Sequence, residues 1–371
     1  MDKLFNEFIN FRKNKGNAVK DSTFKIYKRN IKNIIILLKG KNFIFTDMDI
    51  FLDYKKVFDK IEDFSIDKKK KIINAIMVFF MEKEKYKDTK NIYYKYKQQL
   101  EKKITERRKE QFKTEKESKN WLSFSELIHV VNNYKKNFIF LDKKVKKLVS
   151  EGIKVRLSFD NKNNVKNSNS YILSKKDEQT ILNYLITQLY CGDPFYHGPR
   201  RSVYSTFRII SMDNYEKINE KDREKMNLLI IKNKSNKKFQ FSEYKTSSYH
   251  EKPFKIILSK RMSKVINDVM PYLLLYYKNY YDPKWYKLSF NIPLIRNINT
   301  RKQATSYNMT TIIQNIFKCT KCNISVNSLR KILITEFYKK PRTKKEKEKY
   351  AESCGHSIAT AEYTYNKMEN N

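Results

Sequence analysis

Glycine and proline are scarce in this chain: 6 Gly and 7 Pro occur among 371 residues. Barrels and sandwiches of many strands need a turn every few residues, and these are the residues that make turns. The sequence therefore predicts a mainly helical fold with a small β-sheet. A hydrophobic content of 40% and an aromatic content of 14% are enough to build cores, so disorder is not expected over most of the chain. The length suggests two or three domains.

The second constraint is charge. Lys and Arg number 79 against 40 Asp and Glu, which gives a formal net charge of +39. A surplus of this size repels itself in a compact state unless a polyanion neutralises it. Nucleic acid is the first candidate and an anionic membrane surface is the second. No basic amphipathic helix with an exposed apolar face stands out, which favours nucleic acid. An AT-rich genome would also enrich Lys, Asn, Ile and Tyr together.

The sequence contains neither a run of about 18 apolar residues nor an opening signal peptide. An intracellular protein that works with DNA is therefore expected, in cytoplasm, nucleus or virion alike. The four cysteines are sparse and irregularly spaced, as is usual in a reducing compartment. Cys319 and Cys322 form a lone CxxC pair with no second pair of ligands. Because a zinc site needs four ligands, no metal is predicted.

Hydrophobic periodicity divides the chain into three parts. Residues 1–86 are predicted to form a helical domain with helices over 21–38 and about 66–86. Residues 87–120 are highly charged and are predicted to form an exposed helical linker. Residues 121–371 are predicted to form a mixed domain. It opens with a helix over 124–134, followed by a basic irregular stretch from about 143 to 170.

The main β signal lies in the middle of this second domain. Leu228–Ile231 is a short apolar run, Phe239 and Phe241 alternate with polar residues, and a third run starts at Phe254. Three short runs in succession predict a small antiparallel meander. Helices are predicted on both sides of it, and the one that precedes it is predicted to start at Ser174 as a cap.

Four short motifs of this domain carry residues suited to chemistry on a phosphate. Each has an unremarkable alternative in a chain with so many basic residues and 26 tyrosines. Arg200 or Arg201 could be solvated, Lys245 is one lysine of many, and Arg330 could cap a carbonyl. The motifs are Gly198-Pro199-Arg200-Arg201-Ser202-Val203-Tyr204, Tyr244-Lys245-Thr246, Asn327-Ser328-Leu329-Arg330, and Gly355-His356-Ser357 with Tyr363 and Tyr365 after it.

The order of these motifs resembles the tyrosine recombinase, or phage-type integrase, family. The family order is Arg, a Lys on a hairpin, an xxLR motif, then GHS and a Tyr nine residues after the His, as in Tyr365 after His356. The segment 21–38 is also similar to the opening helix of the family's core-binding domain. The Pro-Arg-Arg-x-x-Tyr form looks like members from large DNA viruses and mobile elements. The resemblance is sharp in 327–365 and covers most of the chain in outline.

The resemblance implies an N-terminal helical core-binding domain, a C-terminal mixed α+β catalytic domain and a role for each motif residue. Two arginines would clamp the phosphate oxygens, since guanidinium offers paired donors that Lys lacks. They would be Arg201 and Arg330, with Arg200 as the alternative to Arg201. Lys245 would protonate the leaving 5′ oxygen, and His356 would bind the phosphate and assist proton transfer. Tyr365 would be the nucleophile, with Tyr363 as the alternative.

The implied activity is DNA strand cleavage and rejoining through a 3′-phosphotyrosine, with double-stranded DNA as partner and a homotetramer on that DNA. It needs no cofactor, no metal and no small-molecule substrate, because the covalent link conserves the bond energy. Alternatives are a type IB topoisomerase and a catalytically inactive DNA-binding protein of the same fold.

The sequence departs from the family pattern at one site position. Asn327 stands where the family usually has His; Asn still donates a hydrogen bond but does not carry a proton at neutral pH. The residue after Arg330 is Lys331, where His is common. Only six residues follow Tyr365, whereas many relatives have a longer tail that docks on a neighbouring subunit. Subunit coupling is therefore expected to use another element or to be absent.

Overall fold

The computed structural model describes residues 2–14, 21–157, 169–242, 253–278 and 280–368. The chain divides into two compact units, Met1–Glu110 and Gln111–Asn371. Most of the described residues are helical, and a small sheet lies in the second unit. The predicted fold class, mainly helical with a small β-sheet, is confirmed. No helix in the described part of the chain is long and apolar enough to cross a membrane.

The first unit is a helical bundle around one apolar core. Its helix α2 follows the predicted pattern, because Ile31, Ile34, Ile35 and Leu38 are all buried at helical spacing. Gly40 then takes a φ of +88°, a left-handed backbone that suits glycine and ends the helix. The helices of this unit are α1 (Asp2–Asn14), α2 (Asp21–Lys39), α3 (Tyr54–Lys60), α4 (Ile66–Phe79) and α5 (Lys87–Lys109).

Two predictions differ from the structure in this unit. Helix α4 ends at Phe79 and not near 86, because the chain turns at Met81, which has a φ of +53°. Helix α5 was expected to be an exposed linker, yet Tyr93 and Leu100 lie in the core of the first unit. Tyr93 also donates a hydrogen bond to the Phe51 carbonyl at 2.9 Å. A few apolar residues on one face are enough to pack a highly charged helix against the core. The division between units falls at Glu110.

The second unit carries the sheet and the remaining helices. The helices are α6 (Glu115–Lys119), α7 (Phe124–Ser150), α8 (Lys175–Cys191), α9 (Met212–Lys217), α10 (Glu220–Arg223), α11 (Lys260–Lys278), α12 (Ser306–Ile316), α13 (Val326–Tyr338), α14 (Lys344–Cys354) and α15 (Ile358–Thr360). The strands are β1 (Lys154–Leu157), β2 (Ser170–Leu173), β3 (Arg208–Ser211), β4 (Leu228–Ile231), β5 (Lys237–Phe241), β6 (Phe254–Ile257) and β7 (Asn291–Pro293).

The predicted meander is confirmed as β4, β5 and β6, which pair antiparallel with Phe239 opposite both Leu229 and Ile256. The sheet is larger and mixed, however, with the order β6-β5-β4-β3-β7. β3 pairs parallel with β4 and antiparallel with β7. The prediction of a small antiparallel sheet therefore holds for the meander, and the full sheet is mixed. The two short helices α9 and α10 between β3 and β4 provide the crossover that a parallel pair requires.

The stretch 143–170, predicted to be irregular, is partly regular. Helix α7 continues to Ser150, because Leu141 and Val145 extend its buried stripe past the predicted end. Beyond it, β1 pairs parallel with β2. Capping behaves as expected from the sequence: Ser174 accepts a hydrogen bond from the Asp177 N–H and starts α8.

Candidate active site

Four of the predicted site residues lie on separate elements of the second unit. Arg201 precedes the 3₁₀ turn Ser202–Thr206, Arg330 lies in α13, His356 follows α14, and Tyr365 lies in a π-helical turn over Ala361–Tyr365. Arg201 Nη2 donates a hydrogen bond to Tyr365 Oη at 3.0 Å, across 164 residues of sequence. The fold therefore brings the first and last motifs into direct contact.

Arg330 lies on the other side of the same phenol. Its guanidinium carbon is 4.8 Å from the centre of the Tyr365 ring. The side chain is almost completely buried, with 1% of its surface exposed. Arg330 Nη1 donates to the Pro199 carbonyl and, at 3.2 Å, to the Cys354 carbonyl. These bonds connect α13 to both the Gly-Pro-Arg-Arg loop and the end of α14.

The positive charge of this cluster has no carboxylate partner among the described residues. In the part of the chain that the structure describes, neither Arg201 nor Arg330 forms an ion pair with a carboxylate. Arg330 is a buried cation without a counter-ion there, which is costly, so the arrangement favours binding of an anion between it and the exposed Arg201. Guanidinium groups are well matched to phosphate oxygens because their donors lie in one plane.

The same charges act on the Tyr365 hydroxyl. Burial raises the pKa of a phenol, but the charges of Arg330 and Arg201 and the hydrogen bond from Arg201 outweigh it. The pKa of Tyr365 is therefore lowered from its ordinary value. A lowered pKa makes the phenolate, which is the attacking form, easier to reach.

His356 stacks on Tyr365, with ring centres 5.1 Å apart and planes at 17°. Burial and then the nearby Arg330 charge lower the pKa of His356 to about 3, so the ring is neutral at physiological pH. Its Nδ1 lies 3.3 Å from the Ser357 carbonyl and, as N–H, donates to it, which leaves Nε2 as the acceptor. Nε2 is buried and has no hydrogen-bond partner among the described residues. The His356 ring is therefore a neutral group stacked on the phenol, with one unused acceptor.

The two adjacent arginines of the first motif point to different partners. Arg201 contacts the Tyr365 hydroxyl, while Arg200 is buried and its guanidinium lies 3.9 Å from the centre of the Phe241 ring. Arg200 Nη2 also donates to the Glu352 carbonyl at 3.0 Å. Arg200 thus joins the sheet to the end of α14, and Arg201 is the one that contacts the phenol.

The two tyrosines of the last motif also differ. Tyr365 is 2% exposed and packs among Ile334, Phe337 and Tyr350, whereas Tyr363 is 46% exposed. Residues two apart on a helical turn point in different directions, so one of them faces the arginines and the other faces solvent.

The two remaining predicted site residues are Asn327 and Lys245. Asn327 is exposed in the first turn of α13, three residues before Arg330. Lys245 lies in 243–252, outside the described residues. The strand residues next to that segment, Phe241 and Phe254, both contact the Arg200 guanidinium, so the chain leaves β5 and enters β6 beside the site. The roles of Asn327 and Lys245 remain predictions.

Sequence reasoning missed two residues, Thr335 and Ser353. They form hydrogen bonds to the backbone around Tyr365 and to the loop at Gly198. Thr335 Oγ1 donates to the Tyr365 carbonyl at 3.3 Å and accepts from the Lys367 N–H at 2.9 Å. Ser353 Oγ accepts from the Gly198 N–H at 3.0 Å. No sequence signal identifies either one, because both act through partners 30 or more residues away.

Gly198 is tightly packed in the first motif, and its replacement by Ala should displace the loop that carries Arg200 and Arg201. A Cβ there would lie 2.3 Å from Cys354 Sγ and 2.9 Å from the Cys354 backbone N. Because backbone cannot give way as a side chain can, we expect Gly198→Ala to lower the free energy of unfolding by about 1–3 kcal/mol. Urea unfolding measures this. Gly152→Ala is the contrasting variant, since no atom lies within 4 Å of its added Cβ and its cost comes only from a φ of +80°. Equal losses in both variants would contradict the packing argument.

Comparison with known proteins gives one solved structure. No family model matches the chain, and no curated protein matches it. A structure titled "Crystal structure of XerA recombinase" is similar over 99% of this chain and 94% of that chain, at 12% identity and a TM-score of 0.33. At that identity and TM-score the similarity carries no argument about this chain. The functional conclusions therefore depend on the geometry of the site.

Proposed function

We propose that this protein is a tyrosine-type DNA strand transferase, a site-specific recombinase or integrase that cleaves and rejoins DNA. One observation carries the proposal: Arg201 is 3.0 Å from the Tyr365 hydroxyl while Arg330 lies against the ring of the same residue. A nucleophile and two phosphate-binding groups in contact are what attack on a phosphodiester requires.

In the proposed reaction, Tyr365 Oη attacks the scissile phosphorus. The bond from phosphorus to the 5′ oxygen breaks, which leaves a 3′-phosphotyrosine and a free 5′-hydroxyl. Arg201 and Arg330 bind the non-bridging oxygens and stabilise the charge that develops on them. The phenol proton is released to solvent with the assistance of His356, and Lys245 gives a proton to the leaving oxygen. Attack by a 5′-hydroxyl reverses these steps and restores the DNA, so the exchange needs no external energy source.

The partner in this proposal is double-stranded DNA. A net charge of +39 provides many possible phosphate contacts, and affinity is expected to fall steeply with salt as counterions are released less favourably. Recombination between two duplexes requires four strand cleavages, so we propose that four copies assemble on the DNA. Large DNA viruses and mobile elements are the proposed setting.

Covalent trapping tests the proposal without knowledge of the target sequence. The probe is a random-sequence duplex library in which the scissile 5′ oxygens are replaced by sulfur. The thiol released on cleavage rejoins poorly, so a covalent protein–DNA adduct should accumulate and survive denaturing gels. Sequencing of the trapped DNA gives the site, and EDTA should leave the yield unchanged. DNA binding at low salt without any adduct would contradict the enzyme assignment and favour an inactive DNA-binding protein.

A second measurement separates a recombinase from a type IB topoisomerase. Once the site is known, two copies are placed on one supercoiled plasmid. A recombinase yields exchanged products that depend on both sites, and a topoisomerase relaxes a plasmid that has one site or none. Relaxation without exchange would contradict the recombinase proposal while keeping the phosphotyrosine chemistry.

A further inference from the structure

The segment Gln111–Trp121, which we call the joint segment, opens the second unit. Gln111 follows the last residue of the first unit, Glu110. It has a φ of +59°, a left-handed backbone that costs a residue with a side chain about 1 kcal/mol or more. Such a conformation persists where the surrounding contacts hold it.

Gln111 is bonded on both sides to the tail that carries Tyr365. Its Nε2 donates to the Glu362 carbonyl at 2.8 Å, and its own carbonyl accepts from the Met368 N–H at 2.8 Å. These two bonds lie on either side of Tyr365 in sequence, three residues before it and three after. Gln111, in its left-handed backbone conformation, is therefore hydrogen-bonded to the chain both before and after Tyr365.

The same segment is bonded to the helix that carries Arg330. Glu117 forms an ion pair with Lys331, and both side chains are less than a fifth exposed. The other carboxylate oxygen of Glu117 accepts from Thr114 N at 2.9 Å, so the ion pair is fixed to the start of α6. Asn120 Oδ1 accepts from the Asn323 N–H at 2.8 Å, in the loop that precedes α13.

We propose that the joint segment is the positioning element of the active site, in which Gln111 holds the Tyr365 turn and Glu117 holds the Arg330 helix. The inference rests on the proposed function and adds two positioning residues to it. Residues 366–368 are not helical, and their backbone N–H groups donate to Thr335 Oγ1 and to the Gln111 carbonyl.

Loss of the Gln111 bond should be visible at Tyr365 even without DNA. In Gln111→Ala the Glu362 carbonyl loses its donor, the turn loosens, and the phenol moves away from Arg201 and Arg330. His356 is neutral and Glu362 is paired with Lys347, so the two arginines are the charges that the phenol loses. The pKa of Tyr365 should then rise toward the ordinary value of about 10. Adduct formation should slow by about 10- to 100-fold with DNA affinity unchanged.

The experiment is a pH titration of protein labelled with ¹³C at the tyrosine Cζ. The Tyr365 resonance is the one missing from Tyr365→Phe. Gln111→Ala and the isosteric Gln111→Glu, which replaces the donor by an acceptor, should both shift its midpoint upward. Ser118→Ala, which removes an exposed polar side chain from the same segment, should leave the midpoint at the wild-type value.

The outcomes separate this inference from the proposed function. An unchanged midpoint in both Gln111 variants, with the fold intact, overturns the positioning role. A shifted midpoint supports it, even if the wild-type protein never forms an adduct, in which case only the strand-transfer proposal fails. A second pair of variants tests the proposed role of Glu117. Glu117→Gln keeps the capping interaction but loses the ion pair with Lys331. It should slow adduct formation relative to Glu115→Gln. Equal rates in that pair would remove Glu117 from the positioning element.

Discussion

Tyr365→Phe is expected to abolish covalent adduct formation on the sulfur-substituted library, a loss on the order of 10⁴-fold or more, as for removal of other enzymatic nucleophiles. The substitution removes one oxygen and keeps the ring that packs on Arg330 and His356. The fold and DNA affinity should therefore remain close to wild type. The measurement is the rate at which labelled DNA becomes attached to protein on a denaturing gel.

Tyr363→Phe is the matched control for this prediction. It is the same chemical change two residues away, on a side chain that is 46% exposed. We expect it to form adducts at nearly the wild-type rate. Mass spectrometry of the wild-type adduct should place the nucleotide on Tyr365. An adduct that persists in Tyr365→Phe and disappears in Tyr363→Phe would reverse the assignment of the nucleophile.

Arg330→Lys should have the second-largest effect. Lys keeps the positive charge but has no planar fork, so it does not bind two phosphate oxygens and the Pro199 and Cys354 carbonyls together. Loss of one donor group that stabilises a developing oxyanion typically costs about 10²- to 10³-fold in rate. We expect adduct formation to fall by about that factor.

The readouts for Arg330→Lys are the adduct rate and the equilibrium affinity for uncleaved DNA, which should change far less. Arg342→Lys is the control. Arg342 is also largely buried and contacts an aromatic ring, Phe337 at 4.6 Å, but it has no contact with Tyr365 in the described structure. Equal losses of rate in the two variants would show that the effect comes from general packing and not from phosphate binding.

The elements that the sequence predicts well are those set by local pattern. The buried stripe of α2, the cap at Ser174 and the three strands of the meander all follow from residues within one turn or one strand of each other. The failures share one cause. One face of α5 is buried by the packing of the first unit, and β3 is a strand because it pairs with β4, which lies 20 residues further along the chain. Neither neighbour is visible in the local pattern.

The candidate site divides in the same way. Residue types and their order, read as a family resemblance, led to Arg201, Arg330, His356 and Tyr365, and the structure brings these four together. No sequence pattern identifies the supporting residues Gln111, Thr335 and Ser353, because polar residues of these kinds occur throughout the chain.

By itself, the sequence determined a basic, mainly helical chain with a small meander and an ordered set of phosphate-binding residue types. These follow from composition and from periodicity, which act over short stretches of chain. Only the tertiary structure decided that Arg201 contacts the phenol while Arg200 packs under Phe241, and that Tyr365 is buried among cations while Tyr363 faces solvent. The physical reason is that burial and charge at these side chains come from α13, α14 and the joint segment. These elements are distant in sequence and become neighbours only when the chain folds.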